Sequence, residues 1–223
     1  MSKTGQEELP PTSPLVSVLV VIFTVVEGEL QALLIHRTAE PHQGLWAIPG
    51  GLLRSAESLL DAATRKLVDE TGLRDVYLEQ LFTFSDLDDV TPGGAVAVAY
   101  FALVDYERAR LADRPDWQPA WFPMRKLPKL AFRNKDVLHY ALERLRNKLQ
   151  YTNVAYSLLP SRFTLSQLQR VYESILGRRL DKRNFRKRML SLGVIEATEE
   201  HQAEGAGRPA LLYRFSSREP IAF

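Results

Sequence analysis

The sequence predicts a mixed α/β (α+β) fold in two domains, with a boundary near residue 150. Up to Gln150, β-branched strand patterns alternate with two amphipathic helical patterns, whereas shorter helical patterns follow it. The charge also changes sign there: residues 1–150 carry 17 Lys and Arg against 20 Asp and Glu, and residues 151–223 carry 12 against 7. We therefore predict a polar, flexible leader over 1–14, a first domain over 15–150 and a basic second domain over 151–223.

Composition excludes several classes of protein. The chain is 45% hydrophobic and has no short repeat, which argues against a disordered or fibrous protein. Its longest apolar run, Leu15–Val26, is too short and too β-branched for a membrane span, and no secretory signal precedes it. The chain has no cysteine, which excludes disulfides and thiolate metal sites, and its four histidines form no metal-ligand pattern. A reducing cytoplasm is compatible with this composition, and we predict a cytoplasmic protein with no metal site and no required cofactor.

The first domain reads as a β-rich unit with two helices. Leu15–Val26 and Gln31–Arg37 predict a hairpin around Glu27-Gly28-Glu29, and a loop over Thr38–Gly51 follows. A helix is predicted over Glu57–Thr71, anchored by Leu60, Ala63 and Leu67 and stopped at Gly72. Three strands and a last helix complete the domain, predicted over Val76–Phe84, Ala95–Val104, Trp117–Phe122 and Asn134–Leu149.

The first helix carries the most informative charges. Helical spacing places Lys66, Asp69 and Glu70 on one face of this helix. A tight turn predicted at Gly50-Gly51 precedes the helix in the sequence. Two carboxylates on such a helix are able to hold a hard cation against phosphate oxygens. Taken from spacing alone, an ordinary charged surface helix is the favoured interpretation.

The stretch from Gly51 to Leu73 resembles the Nudix box, G-x5-E-x7-R-E-U-x-E-E-x-G-U with U aliphatic. The matching residues are Gly51, Glu57, Arg65, Leu67, Glu70, Gly72 and Leu73, and Asp69 stands for the first Glu of the closing pair. The resemblance covers roughly residues 15–150. It implies a Nudix α/β/α sandwich whose loop–helix–loop binds the diphosphate of a nucleoside diphosphate derivative.

One residue departs from that pattern in a way that affects the chemistry. Lys66 stands where the Nudix box has a Glu that, in active members, helps to hold the catalytic cation and activate water. Losing one electrostatic stabiliser alone costs about 10²–10³ in rate, whereas an ammonium still suits phosphate. We therefore predict binding without catalysis. The alternative is that catalysis uses another carboxylate, from Glu57, Asp86, Asp88 or Asp89.

The predicted effector-binding residues follow the box and its approach loop. They are Arg37, Trp46, Gly50, Gly51, Arg54, Lys66, Asp69 and Glu70. Arg37 can pair with a phosphate bidentately, and Trp46 can stack on a base or pack in the core. Phe132 and Arg133 are further candidates for the border of the pocket.

The second domain reads as two helices and a hairpin. Helical patterns over Thr164–Leu176 and Asp181–Leu192 are joined by Gly177-Arg178-Arg179, and Val194–Thr198 with Ala210–Phe215 predicts a hairpin whose tip is Gly205–Pro209. In the second helix Phe185, Met189 and Leu192 form an apolar stripe opposite cations. The whole of 152–223 resembles a winged helix-turn-helix DNA-binding domain.

The predicted DNA contacts lie on the basic helix and around it. They are Ser161, Thr164, Lys182, Arg183, Asn184, Arg186, Lys187 and Arg208, with Ser161, Thr164 and Arg208 assigned to the DNA backbone. The alternative is a protein-interaction module whose cationic helix binds an acidic partner.

Taken together, the two halves resemble the Nudix-related transcriptional regulators of NAD metabolism, the NrtR-like repressors. The junction phrases Leu127–Phe132 and Tyr151–Pro160 are also similar to that family, although Arg133-Asn134 departs from its frequent Asp-His. The resemblance implies a homodimer that binds double-stranded operator DNA of NAD biosynthesis or salvage genes and responds to ADP-ribose or a related NAD derivative. The main alternative is an active hydrolase of the ADP-ribose pyrophosphatase type with an accessory nucleic-acid-binding domain.

Overall fold

The computed structural model describes residues 15–85, 87, 95–112, 118–202 and 209–223. Several predicted features lie outside these residues. They are the leader over 1–14, the acidic residues Asp86, Asp88 and Asp89, Trp117 at the start of a predicted strand, and Arg208 with most of the predicted hairpin tip.

The first part of the chain builds one seven-stranded sheet and two helices. The strands are β1 (Leu15–Val26), β2 (Glu29–His36), β3 (Trp46–Ala47), β4 (Gly50–Leu52), β5 (Tyr77–Phe84), β6 (Ala95–Leu103) and β7 (Gln118–Pro123). They are ordered β3-β2-β1-β6-β5, with β4 also paired to β1 and β7 also paired to β2. The helices are α1 (Leu59–Thr71) and α2 (Asn134–Lys148).

The sheet lies between the two helices. Alternating side chains of β1 point to opposite faces, so Val20 and Ile22 pack with α1 while Val21 and Phe23 pack with α2. β1 runs parallel to β6 and antiparallel to β2. The predicted β1–β2 hairpin is present, with positive φ at both turn residues, Glu27 and Gly28. The predicted α/β/α sandwich is confirmed.

Helix α1 differs from its prediction at its start and on one face. Ser58 is the N-cap and accepts a hydrogen bond from the Asp61 amide, so the helix begins at Leu59 rather than at Glu57. Gly72 ends it in the left-handed conformation, as predicted. The predicted anchor Leu60 is wrong, because its side chain is 54% exposed. The buried face is instead formed by Ala62, Ala63 and Leu67.

The second part of the chain is a winged helix. After a 3-10 helix (Val154–Leu158) come β8 (Phe163–Thr164), α3 (Leu165–Leu176), α4 (Lys182–Ser191), β9 (Ile195–Gln202) and β10 (Ala210–Phe215). The three strands form a small sheet in the order β8-β10-β9, against which α3 and α4 pack. The predicted winged helix is confirmed. None of the described helices is long and apolar enough to cross a membrane.

A continuous hydrophobic cluster joins the two parts, running from Val21 in β1 to Phe215 in β10. Polar contacts add to it, because Arg146 Nε of α2 donates to the Ile175 carbonyl at 2.9 Å. The segment between α2 and the 3-10 helix is held by the C-terminal tail: Asn153 Nδ2 donates to the Ser217 and Glu219 carbonyls, and its Oδ1 accepts from the Ile221 amide. The domain boundary near residue 150 stays a prediction.

Candidate functional site

A cavity of about 290 Å³ opens between the sheet and the start of α2. Apolar side chains and glycines form most of its wall, and Arg37 supplies a cation. The lining residues are Leu15, Ser17, Leu19, Ile35, Arg37, Ala47, Ile48, Gly50, Gly51, Leu52, Leu87, Ala95, Ala97, Phe132 and Asn134. Three predicted effector residues, Arg37, Gly50 and Gly51, therefore meet here. A concave, mostly apolar wall with a few polar groups is typical of small-ligand sites.

The two glycines of β4 bring backbone to the cavity wall at close range. A Cβ at Gly50 would lie 2.6 Å from Leu19 Cδ2 and 2.8 Å from the Val18 carbonyl oxygen, which no side chain tolerates. A Cβ at Gly51 would lie 3.1 Å from Cε and 3.4 Å from Nζ of Lys66. Lys66 therefore lies directly against Gly51, on the side of the strand that faces α1. Lys66 itself does not line the cavity.

Arg37 is held in place by its own loop. Its Nε donates to the Pro41 carbonyl at 2.9 Å, and its guanidinium lies 4.9 Å from the centre of the Phe132 ring. Phe132 has a φ of 51° and also packs edge-on against His42. This arrangement presents an ordered guanidinium at the cavity mouth, which suits a phosphate or carboxylate oxygen pair. Arg133, the other candidate border residue, is exposed, pairs with Asp136 and does not line the cavity.

Asn134 is a site residue that the sequence analysis did not assign. Its side chain is buried, and its Oδ1 accepts the Ile48 amide hydrogen at 2.8 Å across 86 residues of sequence. The bond fixes the Ile48-Pro49-Gly50 turn against the start of α2 and so shapes the cavity wall. A polar residue at the start of a helix normally indicates a capping role, and no other pattern in the sequence points to Asn134.

Glu57 anchors the loop between β4 and α1. Its carboxylate accepts two hydrogen bonds from Arg65, at 2.6 and 2.8 Å, and a third from the Arg54 amide at 3.2 Å. The hydrogen bonds from Arg65 are the largest cause of a lowered pKa of Glu57, to about 2. The same pairing raises the pKa of Arg65. Glu57 is thus ionised at neutral pH and bound bidentately to a guanidinium.

These donors do not fit the divalent cation that the Nudix resemblance implies for active members. Glu57 is committed to Arg65, and a lysine occupies position 66 against Gly51. Among the described residues no group of three or more His, Asp and Glu side chains is placed to hold a metal ion. The alternative acid Glu57 therefore acts as a loop anchor in this structure.

The remaining predicted effector residues lie apart from the cavity wall. Trp46 packs against Phe122 and His36, with ring centroids 4.6 and 5.2 Å apart, and belongs to the large hydrophobic cluster. Arg54 is exposed in the loop before α1. Asp69 lines a separate recess on α1 with Arg65 and Arg74. Glu70 is only 1% exposed. The structure brings neither these four residues nor Lys66 into the lining.

Helix α4 presents the predicted cationic face. Asp181 caps it by accepting the Asn184 amide hydrogen at 2.8 Å, and Phe185 and Met189 bury the opposite side. The Phe185 ring packs 5.2 Å from that of Tyr172 in α3, and burial raises the pKa of Tyr172 to about 12. All the predicted α4 contacts are exposed, namely Lys182, Arg183, Asn184, Arg186 and Lys187. Such an exposed cationic helix in a winged helix suits the major groove of duplex DNA.

The predicted contacts outside α4 have different surroundings. Ser161 is exposed just before β8. Thr164 is 4% exposed, and its hydroxyl accepts the Gln167 amide hydrogen while the Gln167 side chain returns to the Thr164 amide. This capping box commits Thr164 to α3, so the structure does not support its prediction as a DNA-backbone contact. In the described part of the wing, Arg214 of β10 pairs with Glu196 of β9, and Arg162, which lies just before β8, pairs with Glu200 of β9.

Comparison with known proteins matches both parts of the chain. Residues 14–141 match the Nudix domain family, and residues 155–215 match the NrtR DNA-binding winged helix domain. The chain is 40% identical over 211 residues to the ADPR responsive transcriptional repressor NtrR of Acinetobacter baylyi, covering 93% of this chain and 84% of that protein.

Solved structures agree with this assignment. The crystal structure of Shewanella oneidensis NrtR complexed with a 27mer DNA has 33% sequence identity and a TM-score of 0.81, covering 90% of this chain and 93% of that one. The cocrystal structure of the Nudix domain of the same NrtR complexed with ADP ribose has 32% identity and a TM-score of 0.54, covering 60% and 90%. This chain, a Nudix sandwich joined to a winged helix, therefore belongs to the NrtR family of Nudix-related transcriptional regulators.

Proposed function

We propose that this protein is a transcriptional repressor of NAD biosynthesis and salvage genes that senses ADP-ribose or a related NAD derivative. The observation that carries the proposal is the exposed cationic face of α4, formed by Lys182, Arg183, Arg186 and Lys187 on a packed winged helix. This face supplies the phosphate-neutralising charge that operator binding needs. The relatives named above are an ADPR-responsive repressor and a regulator crystallised with DNA, which supports the same role.

The effector binds in the cavity over Gly50 and Gly51. Arg37, ordered by Pro41 and Phe132, contacts one end of the ligand, and Lys66 adds positive charge beside Gly51. The complex of a related Nudix domain with ADP ribose supports this choice of ligand. Trp46 and the buried Glu70 are left out of the proposed contacts because of where they lie.

The effector is bound without being cleaved. Lys66 replaces the carboxylate that holds a cation in active Nudix hydrolases, and Glu57 is already paired with Arg65. Hydrolysis would also destroy the signal that a sensor has to report. An ADP-ribose-specific turnover measured as AMP release with Mg²⁺ at ordinary enzymatic rates would overturn this part of the proposal.

Operator recognition requires two copies of the winged helix. We propose a cytoplasmic homodimer, because a two-fold protein reads a pseudo-palindrome when its recognition helices match half-sites about 34–36 Å apart or a multiple of that spacing. Sedimentation equilibrium of the full chain, alone and with DNA, tests the dimer. A monomer that binds a single half-site would contradict it.

The decisive experiment is a mobility shift with the DNA upstream of candidate NAD genes, titrated with ADP-ribose. We expect a salt-sensitive complex that ADP-ribose releases, and we expect Arg183→Ala with Arg186→Ala to abolish the shift while ADP-ribose binding by calorimetry is unchanged. Arg74→Ala with Arg108→Ala, two exposed arginines of the first part, is the matched control. DNA binding by the α4 double variant equal to that of the control would reject α4 as the reader.

A further inference from the structure

A second cavity, of about 710 Å³, lies where the winged helix meets the sandwich. We call it the arginine cavity, because five guanidinium side chains line it: Arg125, Arg146, Arg170, Arg178 and Arg179. Arg125 lies in the turn after β7 and Arg146 lies in α2, whereas Arg170 lies in α3 and Arg178 and Arg179 lie in the turn that follows it. The cavity shares no lining residue with the one over Gly50 and Gly51.

The floor of the arginine cavity is formed by contacts between the two parts of the chain. The Ser174 hydroxyl of α3 lies 2.7 Å from the Gly28 carbonyl in the β1–β2 turn. Arg146 crosses from α2 to α3, since its Nε donates to the Ile175 carbonyl and its guanidinium lies against Gly177. These contacts bring guanidinium groups from both parts to the wall of one recess.

The carboxylates around this cavity compensate only part of its positive charge. Arg146 pairs with Glu143 outside the lining, at 2.7 Å. Two acids line the cavity itself, Glu29 and Glu173. Glu29 pairs with Arg125. The Glu173 carboxylate accepts the Leu180 amide hydrogen at 2.7 Å and Gln169 Nε2 at 3.0 Å, and the bond from the Leu180 amide is the largest cause of its lowered pKa. Within the described part of the chain, no ion pair engages Arg170, Arg178 or Arg179.

We propose that the arginine cavity binds a soluble compound carrying two or more phosphate groups, as a second effector site. Clustered guanidinium groups repel one another, and a recess with protein walls concentrates their field on an anion. Guanidinium groups also match phosphate oxygens bidentately. The volume lies within the range of about 300–1,000 Å³ that is usual for small-ligand pockets. The recess is far too narrow to admit a DNA duplex.

A ligand in this cavity contacts both parts of the chain at once. Its binding therefore favours the relative position of the two parts in which Arg146 lies close to Arg170, Arg178 and Arg179. This relative position also determines where α4 lies. Linkage then requires that the ligand change operator affinity, and that operator DNA change ligand affinity by the same factor. This regulatory consequence rests on the proposed function, whereas anion binding itself does not.

The test uses the full chain and inorganic tripolyphosphate, with citrate as a non-phosphate anion at equal ionic strength. We expect calorimetry to show saturable binding of tripolyphosphate, weakened by about 10–100-fold in Arg170→Gln with Arg179→Gln, because the variant lacks two cationic groups that pair with phosphate oxygens. Arg74→Gln with Arg108→Gln removes the same charge elsewhere and is expected to bind normally. Equal binding by all three proteins, or equal binding of citrate, would overturn the proposal.

Two further measurements separate this inference from the proposed function. ADP-ribose binding by Arg170→Gln with Arg179→Gln is expected to be unchanged, and its loss would indicate that the two cavities are not separate sites. Tripolyphosphate is expected to alter the operator Kd of the unmodified chain but not that of the variant. A variant that loses operator affinity and still binds tripolyphosphate would assign these arginines to DNA and overturn the proposal. If the chain binds no operator DNA, the proposed repressor function is refuted. The calorimetry with tripolyphosphate still tests whether the arginine cavity binds a polyphosphate.

Discussion

Gly50 and Gly51 are neighbours in the sequence, but their surroundings differ in what a side chain would displace. At Gly50 a Cβ would meet the Val18 backbone at 2.8 Å, so the sheet itself would have to move. At Gly51 the nearest atom belongs to the flexible end of the Lys66 side chain. The first glycine is therefore required by the fold, and the second lets Lys66 of α1 pack closely against β4.

The glycine pair gives a matched prediction. We expect Gly50→Ala to lower the free energy of unfolding by about 1–3 kcal/mol, because overpacking forces a backbone shift. Gly51→Ala is expected to cost less stability but to weaken ADP-ribose binding, because it displaces the Lys66 ammonium. Urea unfolding and calorimetry measure the two effects. Equal losses of stability would contradict the different surroundings of the two glycines.

The Glu57–Arg65 pair predicts acid sensitivity. The pKa of Glu57 is lowered from 4.5 to about 2, so folding favours its charged form. Its stabilising contribution is complete above pH 4.5 and is lost as the pH falls from 4.5 towards 2. We expect Glu57→Gln to be less stable at pH 7 and to lose less stability on acidification over that range. Urea unfolding between pH 7 and 2.5 checks this, with the exposed Glu107→Gln as control; parallel pH curves for the Glu57 variant and the unmodified chain would refute it.

Helices α1, α3 and α4 all begin at a side chain that accepts a backbone amide hydrogen: Ser58, Thr164 and Asp181. The first turn of a helix leaves its amide groups unpaired, so these residues fix where each helix starts. At α4 the cap sets the register that buries Phe185 and Met189 and exposes the basic face. Capping thus connects a local sequence signal to the proposed DNA interface.

Substitutions at Thr164 and Ser161 distinguish a helix-capping residue from a DNA-contacting residue. We expect Thr164→Ala to lower the unfolding free energy by about 0.5–2 kcal/mol and to leave operator affinity unchanged at temperatures well below unfolding. Ser161→Ala is expected to leave stability unchanged, because its side chain is exposed. Thermal unfolding and fluorescence anisotropy with labelled operator measure both variants. Normal stability with a large loss of operator affinity in Thr164→Ala would restore its interpretation as a DNA contact.

At the scale of the whole molecule, Asn153 fixes the segment between α2 and the winged helix to the residues that follow β10. Its side chain pairs with the chain at Ser217, Glu219 and Ile221, and the Phe223 amide donates to the Tyr151 carbonyl at 2.9 Å. Asn153 is buried, so these bonds have no ready replacement by water. The tail after β10 therefore holds the segment between α2 and the winged helix.

We call the hydrogen bonds between Asn153 and residues 217–221 the clamp. Removing the clamp is expected to affect both the stability of the chain and the coupling between effector and operator. Asn153→Ala is expected to cost about 1–3 kcal/mol of stability for the backbone groups that it leaves unpaired. It is also expected to reduce the factor by which ADP-ribose lowers operator affinity. Hydrogen exchange at the Ile221 amide and paired anisotropy titrations measure these effects, with the exposed Asn147→Ala as control. A protected Ile221 amide in the variant would contradict the clamp.

Local sequence patterns predicted most helices and strands. They did not predict contacts between residues that are far apart in the sequence. A β-branched apolar run identified β1, and helical periodicity identified α2 and α3, because each of these signals lies within one segment. The fold class is confirmed. Gly50, Gly51 and Arg37 were identified from the box and its approach loop, although the two glycines lie in strand β4 rather than in the predicted turn. Asn134 was missed because its partner Ile48 is 86 residues away. The role of Trp46 was ambiguous, because the local sequence around an aromatic residue does not distinguish a ring that stacks on a ligand from one that packs in the core.

The clamp at Asn153 also fixes an order of events during synthesis. Ribosomes make the chain from its N-terminus, so the sandwich and the winged helix emerge before the residues that Asn153 binds at Ser217–Ile221. Until residues 217–221 leave the exit tunnel, the Asn153 side chain lacks these hydrogen-bond partners. The residues of both parts are therefore synthesised before the contacts of Asn153 that connect them can form.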